Sequence, residues 1–169
     1  MNKPKVLDAL LVVVIFVVAA FYAVVTLSTN DPAWMWPFFS GEPSKIVLCK
    51  RGQTTEITPD SPHYETINSI LNHVLSRIKG YDEGLGLSED SLADYRTNEV
   101  ILEVFYPQPV VVHSRFNFGR PNTLLIPLTG RHSQESPVFG GIDSDYWPGA
   151  LTLRDLQLLK DKLAELGYL

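Results

Sequence analysis

One cysteine, Cys49, occurs in the 169 residues, so no disulfide can form within the chain. A small folded part exposed to an oxidising compartment must then rest on its hydrophobic core. Cys49 lies in the apolar stretch KIVLC, where a buried, inert thiol is expected; an intermolecular disulfide is the alternative. No Asn-x-Ser/Thr sequon is present, so nothing marks the chain for N-glycosylation. Motifs that name a reaction are missing as well. There is no P-loop and no G-x-S-x-G elbow, and Gly84-Leu85-Gly86 lacks the third glycine and the preceding strand of a dinucleotide loop.

Charge is also absent from particular stretches. No charged residue lies between Asp8 and Asp31, and no Lys or Arg between Lys5 and Lys45. The first gap holds the apolar run of residues 9–27, ALLVVVIFVVAAFYAVVTL. A hydrocarbon core of about 30 Å takes roughly 20 helical residues, so residues 6–27 read as a membrane anchor. Asp8, near the start of this helix, reaches the headgroup layer. Lys3 and Lys5 precede the run while Asp31 and Glu42 follow it, which puts the N-terminus in the cytoplasm and the rest outside. A cleaved signal peptide is the competing reading. Its apolar region is typically about 7–15 residues and ends at a small-x-small site. This run is longer, and Ala23 and Ser28 follow Phe21 and Thr26 at the decisive spacing, so an uncleaved signal-anchor is expected.

The organisation that follows is a cytoplasmic tail of residues 1–5, the anchor at 6–27, an interfacial segment at 28–44 and one extracytoplasmic domain at 45–169. Trp34, Trp36, Phe38 and Phe39 are expected at the membrane interface, where amphipathic aromatics anchor helix ends. Pro32 and Pro37 stop the helix from continuing. Of the charged residues, only Lys3, Lys5 and Asp8 precede residue 28. Residues 28–169 therefore keep twelve of fourteen Lys/Arg and eighteen of nineteen Asp/Glu, a formal charge of −6. Nucleic-acid-binding domains are usually basic, so that class is set aside. A bacterial envelope location fits these features.

Within the domain, residues 45–49 and 54–58 read as a hairpin turning at Arg51-Gly52. Ser61 as cap, Pro62 at the first helical position and Ile67, Ile70, Leu71, Val74 and Ile78 at helical spacing predict a helix stopped by Gly80. Residues 82–99 form an acidic excursion with a possible helical turn capped by Ser88. Three strands are expected at 100–106, 110–115 and 123–128, then a long loop over residues 130–149 with a short strand near Val138. Thr152 and Asp155 resemble a capping box for a last helix carrying Leu153, Leu156, Leu159, Leu163 and Leu166. The fold class is α+β: a transmembrane helix, then one mostly antiparallel sheet in the order β-β-α-β-β-β-α, with two helices on one face.

The candidate partner-binding residues come from two features. No acidic residue lies between Glu103 and Glu135, whereas Arg115, Arg120, Arg131, His113 and His132 do. They predict a basic edge for an acidic partner or anionic headgroups; pairing with the acidic excursion is the alternative. Phe139, Tyr146 and Trp147 in the long loop suit protein contacts, unless the loop packs over the sheet. Metal binding is not expected, because Asp143-x-Asp145 supplies too few ligands and His63, His73, His113 and His132 are scattered. No cofactor is expected. His132, Ser133, Glu135 and Ser136 carry hydrolase residue types, but sequence neighbours on one loop rarely hold triad geometry, so an enzyme is not the first expectation. The expected partners are the bilayer and a membrane protein. The leading expectation is an interaction or accessory module acting on a neighbouring membrane protein. A permanent subunit of a membrane complex, packing through Ala19, Ala20 and Ala23, is the alternative, and a membrane-tethered hydrolase the remote one.

Overall fold

The uncharged run after Asp8 forms one continuous helix, α1 (Val6–Thr29), in the computed structural model, which describes residues 6–36 and 38–169. The expected tail of residues 1–5, with Lys3 and Lys5, and Pro37 lie outside the described residues. At 24 residues, α1 is about 36 Å long. None of its residues is buried, and it is long and apolar enough to cross a membrane. Asn30 ends it in the left-handed conformation, φ 51°, a position asparagine tolerates. Asp31 Oδ1 then accepts from Ala33 N at 2.8 Å, closing a turn that sends the chain back along the helix. Trp34 lies edge-on to Phe21 and stacked on Tyr22, and the Tyr22 hydroxyl donates to Pro32 O at 2.6 Å.

The domain is an open, fully antiparallel seven-stranded sheet. Its strands are β1 (Lys45–Lys50), β2 (Gln53–Ile57), β3 (Ile78–Asp82), β4 (Val100–Phe105), β5 (Thr123–Pro127), β6 (Pro137–Ile142) and β7 (Asp145–Leu153). Their spatial order is β2-β1-β4-β5-β6-β7-β3. The helices α2 (Tyr64–Leu75), α3 (Glu89–Asn98) and α4 (Leu156–Glu165) complete the α+β fold. The β1–β2 turn falls at Arg51-Gly52, where both residues have positive φ, 49° and 81°. That is the primed turn which matches strand twist.

Alternation in the strands separates two cores. Val100, Leu102 and Val104 of β4, with Tyr106 beyond it, join Leu71, Val74, Leu159 and Leu163 under α2 and α4. Ile101 faces the other way, with Cys49, Leu125, Phe139 and Tyr146, beneath Leu92 and Tyr95 of α3. Helices therefore cover both faces of the sheet rather than one. Cys49 is buried and free.

Several local expectations are corrected. The helix does not begin at Ser61-Pro62 but at Tyr64; the Ser61 hydroxyl instead accepts from Thr58 N at 3.0 Å. Ile78 and Gly80 leave the helical pattern because they pair with β7 as strand β3. Residues 110–115 form no strand. β4 and β5 are direct neighbours, and Pro107, Pro109 and Pro121 remove ladder donors from the excursion between them. The expected loop at 130–149 is instead largely a β6–β7 hairpin turning at Asp143-Ser144, φ 51° and 71°. Asn122 holds that turn, accepting from Asp143 N and donating to Asp143 Oδ1, both at 2.8 Å. The capping box is also absent. Thr152 sits in β7, and the Asp155 carboxylate pairs with Arg77 Nε at 2.8 Å instead of capping α4. Ser88, by contrast, caps α3, accepting from Ser91 N.

Candidate functional site

The segment between α1 and β1 is fastened to the domain by polar contacts at Asp31 and over residues 39–43. Asp31 Oδ2 lies 3.0 Å from His113 Nδ1. Phe39 N donates to Ser76 Oγ at 2.8 Å, and Gly41 exchanges two bonds with the Asn72 amide, at 2.9 and 3.1 Å. The Tyr64 hydroxyl donates to Pro43 O. Phe39 itself is buried, its ring edge-on to Tyr106. Gly41 is needed there, because a Cβ would stand 2.6 Å from the Tyr106 ring and 2.8 Å from that of Phe39. Phe39 is thus a core residue, not an interfacial one. Trp34 packs on α1, while Trp36 and Phe38 remain exposed.

This fastening leaves an open cleft of about 1160 Å³ beside the end of α1. One wall is Trp34, Met35 and Phe38; the floor is the outer face of α2, with Asn68, Asn72 and Ser76; the far wall comes from Lys79, Arg154 and residues 113–116. The lining is cationic. Arg77 is neutralised by Asp155 and His113 faces Asp31. Among the described residues Lys79, Arg115 and Arg154 form no ion pair, and Glu65 is the one carboxylate of the lining. Arg115 lies over the Phe116 ring, 5.1 Å from its centroid. Two buried polar atoms of this lining lack a partner, Asn68 Oδ1 and Trp34 Nε1. A buried polar atom without a partner costs about 1–3 kcal/mol.

A second, shallow groove of about 370 Å³ lies around Tyr81, Gly119, Arg120, Ile142, Trp147 and Pro148. Its aromatic base is Trp147, edge-on to Phe118 and close over Gly119 and Gly140.

The six predicted partner-binding residues therefore part company. Arg115 faces the first cleft and Arg120 the groove. Arg131 lies on the α3 side near Tyr95. The three arginines do not form one edge, because the 106–122 excursion is not a strand running back beside β4. None of the three forms an ion pair among the described residues. Phe139 and Tyr146 are buried in the core beneath α3, so neither offers a free surface; Trp147, on the opposite face, is half-exposed.

Sequence reasoning missed a buried cluster under α3. Glu103, within an otherwise apolar strand, accepts from Arg96 Nη2 at 2.6 Å and from the Tyr146 hydroxyl at 2.9 Å. Cys49 Sγ donates to Arg96 O. The hydrogen bond to Glu103 raises the Arg96 pKa. Burial, reinforced by the Glu103 carboxylate, pushes the Tyr146 phenol well above its usual 10. The signal was the lone charge inside VILEVFY.

Among the described residues no three His, Cys, Asp or Glu side chains are grouped to hold a metal ion. His132 and Ser133 sit on one turn, where the Ser133 hydroxyl donates to Gly130 O at 2.9 Å. His132 Nδ1 is 3.9 Å from Glu135 and its ring is tilted over Tyr95. Comparison with protein-family models, curated proteins and solved structures finds no match for the chain.

Proposed function

We propose that the chain is a single-pass membrane protein, N-terminus cytoplasmic and residues 45–169 outside, that serves as an interaction module for a neighbouring membrane protein. The observation that carries this reading is the fastening of Asp31 to His113 and of residues 39–43 to α2. A helix able to span the bilayer is thereby joined to its domain without a free tether. Confinement to one membrane raises the effective concentration of partners that share it. The positive-inside rule supplies the orientation.

The groove is the surface that suits a protein partner. It offers the Arg120 guanidinium, which forms no ion pair among the described residues, the exposed Ile142 and a half-exposed indole at Trp147. Arginine and tryptophan are enriched among residues that dominate interface energetics. A permanent subunit of a larger complex is the second reading, favoured by the exposed α1 surface with Ala19, Ala20 and Ala23.

Cross-linking and purification of the full-length protein from its native membrane tests both readings. The module predicts that Arg120→Glu with Ile142→Asp abolishes capture of a membrane partner, whereas an unrelated apolar helix in place of α1 preserves it. The subunit reading predicts the reverse. A clean monomer from the wild type counts against both.

A further inference from the structure

We propose that the cleft beside α1 holds the headgroup of an anionic phospholipid from the membrane in which α1 sits. The inference rests on the membrane reading above, and concerns a different surface from the partner groove. Three independent observations converge on it.

The first is position. Trp34 lies against Phe21 and Tyr22, seven residues before the end of α1 and so about 10 Å back along its axis. The returning segment 31–36 therefore runs at the depth where acyl chains meet headgroups. Met35, Trp36 and Phe38 are 65%, 70% and 61% exposed there, an apolar rim suited to hydrocarbon rather than water. Met35 and Phe38 also line the cleft, so its mouth opens beside that rim.

The second is charge. Lys79, Arg115 and Arg154 have no carboxylate partner among the described residues. Unpaired cations just outside a spanning helix attract anionic lipid, and guanidinium forks match phosphate oxygens in geometry. A zwitterionic headgroup would bring an ammonium against these three cations, with Glu65 as the one lining carboxylate to meet it.

The third is the pair of orphaned polar atoms. Asn68 is 8% exposed and its Oδ1 accepts no hydrogen bond; Trp34 Nε1 is a buried donor without an acceptor. The volume of about 1160 Å³ is somewhat above the roughly 300–1,000 Å³ of small-molecule sites, enough for a headgroup and its glycerol backbone.

The test uses the full-length protein in nanodiscs of phosphatidylcholine with a small fraction of spin-labelled phosphatidylglycerol. The expected result is about one motionally restricted phosphatidylglycerol per chain beyond the ordinary annulus, with affinity falling on the order of ten- to thirty-fold in Arg115→Gln/Arg154→Gln. Both residues are exposed, and circular dichroism checks that the variant is folded. Equal immobilisation of labelled phosphatidylcholine, or no change in the double variant, overturns the proposal. Soluble glycerol phosphate should compete only weakly, because it lacks the acyl chains that meet the apolar rim; competition at the affinity of the lipid overturns the lipid as occupant. Extraction of the wild type from its native membrane by alkaline carbonate would overturn the membrane reading itself, and is distinguishable from loss of lipid selectivity alone.

Discussion

Replacing Arg96 with methionine strips the Glu103 carboxylate of its cationic partner and leaves it beneath α3 with the Tyr146 hydroxyl. Removing one partner of a fully buried ion pair costs about 3–5 kcal/mol, because the remaining charge stays desolvated. The Glu103 side chain is 7% exposed but that of Arg96 is 41%. Solvent therefore screens part of the pair, and the expected loss is about 2–3 kcal/mol. For a domain of this size that lowers the thermal midpoint on the order of 6–10 °C. Glu103→Leu should behave differently. It orphans the Tyr146 hydroxyl, costing about 1–3 kcal/mol, but gains roughly 1.5–3 kcal/mol of apolar burial. The net change is near zero, and Arg96→Met/Glu103→Leu should recover most of what Arg96→Met loses. Near-ultraviolet circular dichroism of the full chain in non-ionic detergent follows the aromatic side chains, most of which lie in the domain. An Arg96→Met midpoint within about 2 °C of wild type would refute the desolvation argument. So would a Glu103→Leu variant as unstable as Arg96→Met.

Phe39→Ala should cost about 3–4 kcal/mol because the ring is 4% exposed against Tyr106, whereas Phe38→Ala, 61% exposed, should change stability by less than about 0.5 kcal/mol; the same thermal assay separates them. Burial raises the phenol pKa of both Tyr106 and Tyr146. Neutral tyrosine is therefore favoured in the folded domain, and this stability is complete below about pH 10 and lost as the pH rises beyond it. The thermal midpoint should fall from about pH 10 upward, less steeply in Tyr146→Phe, and a flat profile would count against the burial of these hydroxyls. Asp31→Ala removes the contact with His113; spin labels on Val24 and Thr55 should then show a broadened distance distribution, and an unchanged one would mean that the other contacts of residues 38–43 suffice.

Legibility in the sequence followed the range of the interactions. The apolar run, the Arg51-Gly52 turn and the alternation of β4 are local patterns, and each emerged where expected. The β6–β7 hairpin hid because its turn residues, Asp143 and Ser144, adopt positive φ without glycine. They rely on Asn122, about twenty residues away. β3 hid because Ile78 continues the helical spacing of α2, and only pairing with β7 pulls it into the sheet. The cleft was illegible for the same reason on a larger scale. Its floor, walls and fastening come from segments as far apart as Asp31 and His113, so no spacing along the chain announces it. Phe39 looked interfacial by composition; its burial depends on Gly41 letting two aromatic rings close together.

The docking of Asp31 and of residues 39–43 also has a mechanical side. If α1 spans a bilayer as proposed, a helix of about 36 Å in a hydrocarbon layer several ångströms thinner would tilt to hide its excess length. With a slack linker that tilt would be absorbed at the joint. Under the proposed membrane reading, the contacts of Asp31 with His113 and of residues 39–43 with α2 would couple inclination of α1 to inclination of the sheet. Bilayer thickness would then influence the angle at which the cleft and the groove are presented.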